Sequence, residues 1–210
     1  MFENGTYRRS FFAGLLAIFL LGVFILVNYY RFYRDSHQII DPFKGIEREK
    51  LPAVLEGKGK LLVLHDFESG NAADTASQLA AIGHGGKQSL KMSSRVIFSP
   101  GLWIKFKDLN PGDSSWIRAS GYVWFSCSPA EVNCRLVATC NHKGVNYKYL
   151  FTPFETENLK PNQWNRVSID YHILPAPDRE DVLQAYFWYR GNGVLLLDDV
   201  EIQLFEPAKH

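Results

Sequence analysis

The sequence predicts an all-β domain, a jelly-roll β-sandwich, preceded by a single transmembrane α-helix. Two observations carry the sandwich. From residue 60 onward, eight or nine short stretches rich in aromatic and β-branched residues alternate with turn signals such as Asn110-Pro111-Gly112 and Lys160-Pro161-Asn162. Helical periodicity is scarce over the same span, which argues against an α/β fold. A third observation carries the helix: Phe11–Val27 is continuously apolar, and Asn28-Tyr29-Tyr30 completes a bilayer-spanning length.

The chain divides into a polar tail over residues 1–10, a transmembrane helix over 11–30, a juxtamembrane linker over 31–59, the sandwich over 60–206 and a short tail over 207–210. Tyr29, Tyr30, Tyr33, Arg31 and Arg34 form an interfacial belt. A cleaved signal peptide is the alternative. The apolar run is longer than a usual signal core, and no small-residue cleavage site follows it. Arg8 and Arg9 precede the span, whereas Arg31, Arg34, Lys44, Arg48 and Lys50 follow it, a count that favours a cytoplasmic domain. The signal-anchor layout and the domain type favour the other orientation, and the expectation is an extracytoplasmic domain. The linker is punctuated by Pro42, Gly45, Pro52, Gly57 and Gly59, with one helical turn expected around residues 46–55.

Within the domain, strands are expected at 61–67, 88–92, 102–106, 116–126, 135–139, 146–151 and 165–173. Val182–Leu204 reads as a final hairpin turning at Gly191-Asn192-Gly193. Alternation places Tyr186, Trp188 and Arg190 on one side of its first strand, and Ala185, Phe187 and Tyr189 on the other. The second strand is apolar except for Asp198-Asp199. Buried carboxylates need a cation, amide donors or solvent. Alternation turns Asp198 to the side of Val200 and Ile202, and Asp199 to the other side.

The net charge of +1 excludes the basic footprint of a nucleic-acid binder. Cys127 and Cys134 fall at the ends of an expected hairpin, so an oxidising compartment would allow a disulfide between them. Three small buried hydrophobes, with Cys140, are the equal alternative. Gly83-His84-Gly85-Gly86-Lys87 fails as a phosphate loop, because Gln88 stands where Ser or Thr is needed and Ala81 where Gly is needed. His65, His84, His142 and His172 are scattered, and no nucleophile elbow or zinc-protease motif is present. An enzyme is not expected.

Three segments in order, His65-Asp66-Phe67-Glu68, Gly86-Lys87-Gln88-Ser89-Leu90-Lys91-Met92 and Leu197-Asp198-Asp199-Val200-Glu201-Ile202, carry a resemblance. The chain resembles the galactose-binding-like jelly roll, above all the carbohydrate-binding modules appended to xylanases and glucanases. The resemblance implies a structural calcium held by Glu68 and Asp198 with main-chain oxygens from the loop before Ser89. It also implies ligand-binding aromatics: Tyr122 with Trp124, Tyr147 with Tyr149, and Tyr186 with Trp188, assisted by Gln184 and Arg190. Against this, a sandwich strand must send alternate residues into the core, so each aromatic competes for a core role.

The function expected is a membrane-anchored, non-catalytic binding or accessory subunit whose sandwich docks on a membrane-complex or envelope partner. Glycan recognition is the alternative, and a glycan-active enzyme the weaker one. An exposed apolar patch would favour a protein partner. An exposed aromatic groove rimmed by polar groups would favour sugar.

Overall fold

The computed structural model describes residues 48–68, 79–154 and 157–207. The expected tail, membrane helix and most of the linker lie outside the described residues. Among the described residues no helix is long and apolar enough to cross a membrane.

Among the described residues, ten strands form two antiparallel sheets. They are β1 (Lys60–His65), β2 (Leu79–Ala80), β3 (Ser89–Met92), β4 (Leu102–Lys105), β5 (Trp116–Phe125), β6 (Cys134–His142), β7 (Val145–Pro153), β8 (Asn165–His172), β9 (Val182–Tyr189) and β10 (Leu195–Phe205). One sheet runs β2-β3-β10-β5-β8, with β1 also paired to β10; the other runs β4-β9-β6-β7. Two single-turn helices, α1 (Phe106–Leu109) and α2 (Pro129–Val132), sit in the connections. Alternation drives the assembly. Strand β9 buries Leu183, Ala185, Phe187 and Tyr189, and β5 buries Ile117, Ala119, Val123 and Phe125, so the two inner faces share one core.

The expected hairpin of residues 182–204 is not formed. Strand β9 belongs to the four-stranded sheet and β10 to the six-stranded one, so Gly191–Gly193 is a crossover between sheets. The backbone is held there by α2 and the residue after it: Arg190 N donates to Asn133 O at 2.9 Å, and a Cβ on Gly191 would collide with Val132 O. From these opposite sheets both strands send their apolar faces into one core. The same partition separates β5 from β6. The premise of a Cys127–Cys134 bridge across a hairpin therefore fails, and no disulfide joins Cys127, Cys134 or Cys140. Cys127 lies against Gly193, while Cys134 and Cys140 are buried in the core. The hairpin that does form joins β6 to β7, through Lys143 and Gly144 at φ 47° and 86°.

The last part of the expected linker is part of the domain. Residues 48–58 lie as a strap on the outer face of the six-stranded sheet. Leu51 and Leu55 pack with Phe205 and Trp116 in a small second core. Leu51 N donates to Asp170 Oδ2 at 2.8 Å, and His172 N donates to Glu49 Oε2 at 2.7 Å. Arg118 is the hub. Its Nε donates to Asp170 Oδ1 at 2.6 Å, and both terminal nitrogens donate to Glu56 at 3.0 Å. Hydrogen bonds from these two carboxylates push the Arg118 pKa up, and Arg118 in turn lowers that of Glu56. Proline and glycine spacing suggested a free linker. The apolar pair at Leu51 and Leu55 and the charge ladder explain why it docks.

Replacing Arg118 by Met strands Asp170 beside the strap without its cation. Arg118→Met should lower stability by about 2 kcal/mol and open residues 48–59 to limited proteolysis. Glu56 has a lowered folded pKa, so its contribution is present above its unfolded value and is lost as pH falls through the folded one. Strap cleavage should accordingly rise with acidification in the wild type. A strap equally protected in wild type and variant would remove Arg118 as the hub.

Candidate functional site

The outer face of the four-stranded sheet is an aromatic surface. Strand β9 alternates so that Gln184, Tyr186 and Trp188 point away from the core. Directly paired residues share a face. On β4, Trp103 pairs with Gln184; on β6, Val137 pairs with Tyr186 and Arg135 with Trp188. On β7, Tyr149 pairs with Thr139 and Phe151 with Val137. Phe98 bridges to Trp188 from the preceding loop, with its ring edge-on to Tyr186 at 5.6 Å and stacked towards Trp188 at 6.3 Å. Trp103 is 63% exposed and Phe98 51%, far more than core packing would leave. Between them runs a groove of about 330 Å³, lined by Phe98, Gly101, Trp103, Gln184 and Tyr186 among others. Gly101 is required where it stands, because a Cβ there would strike the carbonyl of Ala185.

Two cations close one end of this face. The Arg190 guanidinium lies 4.7 Å from the Trp188 ring centre, and the Arg135 guanidinium 4.6 Å from that of Phe151. Burial raises the Tyr149 pKa, which Arg135 and Arg190 partly offset; burial alone raises that of Tyr186. Both phenols are therefore protonated donors at neutral pH.

The sequence-predicted ligand residues are split by the fold. Tyr186, Trp188 and Arg190 come together here. Tyr122 and Trp124 lie on the outer face of the other sheet, on the opposite side of the sandwich. The Tyr122 ring is capped there by His84, stacked at 3.5 Å and 13°, with Trp164 edge-on to His84 at 5.7 Å. Tyr147 packs against the core, separated from Tyr149 by a register shift between β6 and β7. Sequence reasoning missed Phe98, Phe151 and Arg135. Trp103 was legible as an outward residue of its strand, but nothing in sequence spacing joins it to β9.

A second cluster lies where β10 meets the loop before β3. Between Asp198 and Glu201 the pairing with β5 slips by one residue, with Asp199 at φ 46°. Alternation therefore breaks, and the expectation that Asp198 shares a face with Val200 and Ile202 is overturned. Asp198 pairs with outward Tyr122, while Ile202 pairs with inward Ala119. Asp199 is not turned away either. Asp198 Oδ2 accepts from His84 N at 2.6 Å, and Asp199 Oδ2 lies 2.7 Å from His84 Nδ1. Glu68 Oε1 accepts from Lys87 N at 2.6 Å and Gln88 N at 2.7 Å. A Cβ on Gly86 would overlap the Glu68 carboxylate. The glycine loop is thus an amide cradle filled by the chain's own carboxylates. Among the described residues, no three His, Cys, Asp or Glu side chains form a metal-holding group. Glu68 and Asp198 each keep lone pairs beyond these amide bonds. Residues 69–78 lie outside the described residues. Burial raises the Asp198 pKa against the pull of two amides, and neighbouring Asp199 and Glu68 raise it further.

No protein-family model matches the chain, and no curated protein matches it. Among solved structures, the CBM22-1 xylan-binding domain of Paenibacillus barcinonensis Xyn10C is 21% identical. That match covers 71% of this chain and 97% of its own, at a TM-score of 0.46. The C-terminal family 22 carbohydrate binding module of Clostridium thermocellum Xyn10B is 12% identical over 71% of this chain and 96% of its own, at a TM-score of 0.43. TmCBM61, solved with β-1,4-galactotriose, is 11% identical over 60% of this chain and 76% of its own, at 0.33.

The cradle generates two expectations. Gly86→Ala should cost no more than about 1 kcal/mol, because the added methyl displaces the exposed, flexible Glu68 carboxylate from two amides that solvent can then reach. A raised folded pKa means that Asp198 holds its proton more tightly folded than unfolded. Its burial penalty is then absent at low pH and grows as pH rises through the folded pKa. The stability deficit of Asp198→Asn should therefore be larger at low pH than at neutral pH. Chemical denaturation across that range checks it; a deficit that grows with pH would contradict the assignment.

Proposed function

We propose that this domain is a non-catalytic module that recognises polysaccharide on the outer face of its four-stranded sheet. The single observation that carries the reading is the exposed aromatic groove between Phe98, Trp103 and Tyr186, with the Gln184 amide at its floor. Flat aromatic faces stack on pyranose rings, and amide and phenol groups fix the hydroxyls. Within this mainly apolar groove, the Gln184 amide and the Tyr186 hydroxyl are the polar groups that would meet sugar hydroxyls. In this reading the apolar segment 11–30 presents the module at a membrane, on the extracytoplasmic side.

We propose in addition that calcium reinforces the cradle, with Glu68 and Asp198 as its carboxylates. The support is the crowding of Glu68, Asp198 and Asp199, whose mutual repulsion a cation would relieve. Bound calcium would stabilise the fold by about 2.7 kcal/mol at a hundredfold excess over Kd. Melting curves of the full-length chain with calcium and with chelator should differ, and Asp198→Asn should abolish most of the difference. Superimposable curves would leave the carboxylates as amide acceptors alone.

The glycan reading is tested by affinity electrophoresis of the full-length chain in gels containing soluble plant and bacterial polysaccharides. At least one should retard it. Trp103→Ala and Tyr186→Ala should each weaken retention by about tenfold, whereas Trp124→Ala, on the opposite face, should leave it unchanged. Retention lost through Trp124 and kept through Trp103 would move the site to the other sheet. Absence of retention by every polysaccharide would overturn the reading and return the groove to a protein partner.

A further inference from the structure

The charge of the aromatic face is one-sided. Strands β4, β9, β6 and β7 contain no aspartate or glutamate at any position, while the six-stranded sheet carries Asp170, Asp198, Asp199 and Glu201. At one end of the face, Lys105 and Lys107 share Glu180, at 2.8 and 2.7 Å. At the other end stand Arg190 and Arg135. Arg190 is exposed, at the outer end of β9, and among the described residues no carboxylate lies within ion-pair distance of it.

A guanidinium stacked on an indole is held flat by the ring, and its in-plane N–H donors remain directed outward. That is the fork a carboxylate or sulfate accepts in bidentate fashion. The Arg190 guanidinium carbon lies over the Trp188 ring, 4.7 Å from its centre, and the charges of Arg190 and Arg135 both pull the Tyr149 pKa down against burial. A neutral glycan would leave this cation without a purpose in recognition. An acidic one would meet it at the end of the groove where Phe98 and Tyr186 adjoin Trp188.

We infer that the ligand is an anionic polysaccharide, whose carboxylate or sulfate docks on Arg190 while neighbouring rings stack along the Trp103–Tyr186 groove. This rests on the glycan reading above and narrows it to a substrate class. The uronate and the sulfate ester share the chemistry, and the test separates them.

The full-length chain is run in gels containing polygalacturonate or its carboxyl-reduced neutral counterpart, and dextran sulfate or dextran. At least one anionic polymer should bind about tenfold more tightly than its neutral partner. A preference within the first pair assigns the carboxylate, within the second the sulfate. The preference should shrink as salt rises. It should collapse in Arg190→Gln and be partly kept in Arg190→Lys, which preserves charge without the fork. Equal binding of charged and neutral partners, or a preference indifferent to Arg190→Gln, overturns the inference and leaves the glycan reading standing. Failure to bind any of these or other polysaccharides overturns both.

Discussion

Strand β10 lies at the centre of the six-stranded sheet, paired with β1, β3 and β5, and it must bury leucines on both sides of two adjacent carboxylates. The register slip at Asp199 is how the chain meets that constraint. Leu195 and Leu197 enter the core before the slip, and Val200, Ile202 and Leu204 enter it afterwards. The inserted residue lets both aspartates face the loop at Gly83–Gln88, where backbone amides and the His84 ring receive them. Without the slip, strict alternation would send Asp199 into the core beside Leu197, at the cost of an unpaired buried charge.

That arrangement decides which face is free. The loop folds over Tyr122 at one end of the outer six-stranded face, and the strap of residues 48–58 covers the other end through Arg118, Asp170 and Glu56. Among the described residues, no such segment covers the groove of the outer four-stranded face. Its backbone is closely packed at Gly101, where a Cβ would strike the carbonyl of Ala185 on β9.

Much of this was legible in the sequence. Alternation in Asn165–His172 and Val182–Tyr189 gave strand positions and inward residues that the structure retains. Pairing was harder to read. A glycine-rich link between two apolar strands looks the same whether it turns a hairpin or crosses between sheets, and the choice depends on core partners elsewhere in the chain. Cys127 and Cys134 were likewise expected at the ends of a hairpin, whereas β5 and β6 lie in different sheets. The register slip at Asp199 has no local signature, since aspartate is tolerated at positive φ without demanding it. The docking of the strap depended on a long-range ion network, Arg118 with Glu56 and Asp170, which spacing alone does not reveal.

On the proposed function, ligand binds the four-stranded face and leaves the six-stranded face untouched. The five tryptophans divide between these faces: Trp103 and Trp188 on the first, with Trp116, Trp124 and Trp164 on the side of the second. Fluorotryptophan labelling followed by fluorine NMR resolves them individually, with assignment by single Trp→Phe substitutions. Titration with a retained polysaccharide fragment should move the Trp103 and Trp188 resonances and leave the other three in place. Movement of Trp124 and Trp164, with Trp103 and Trp188 unchanged, would contradict the account.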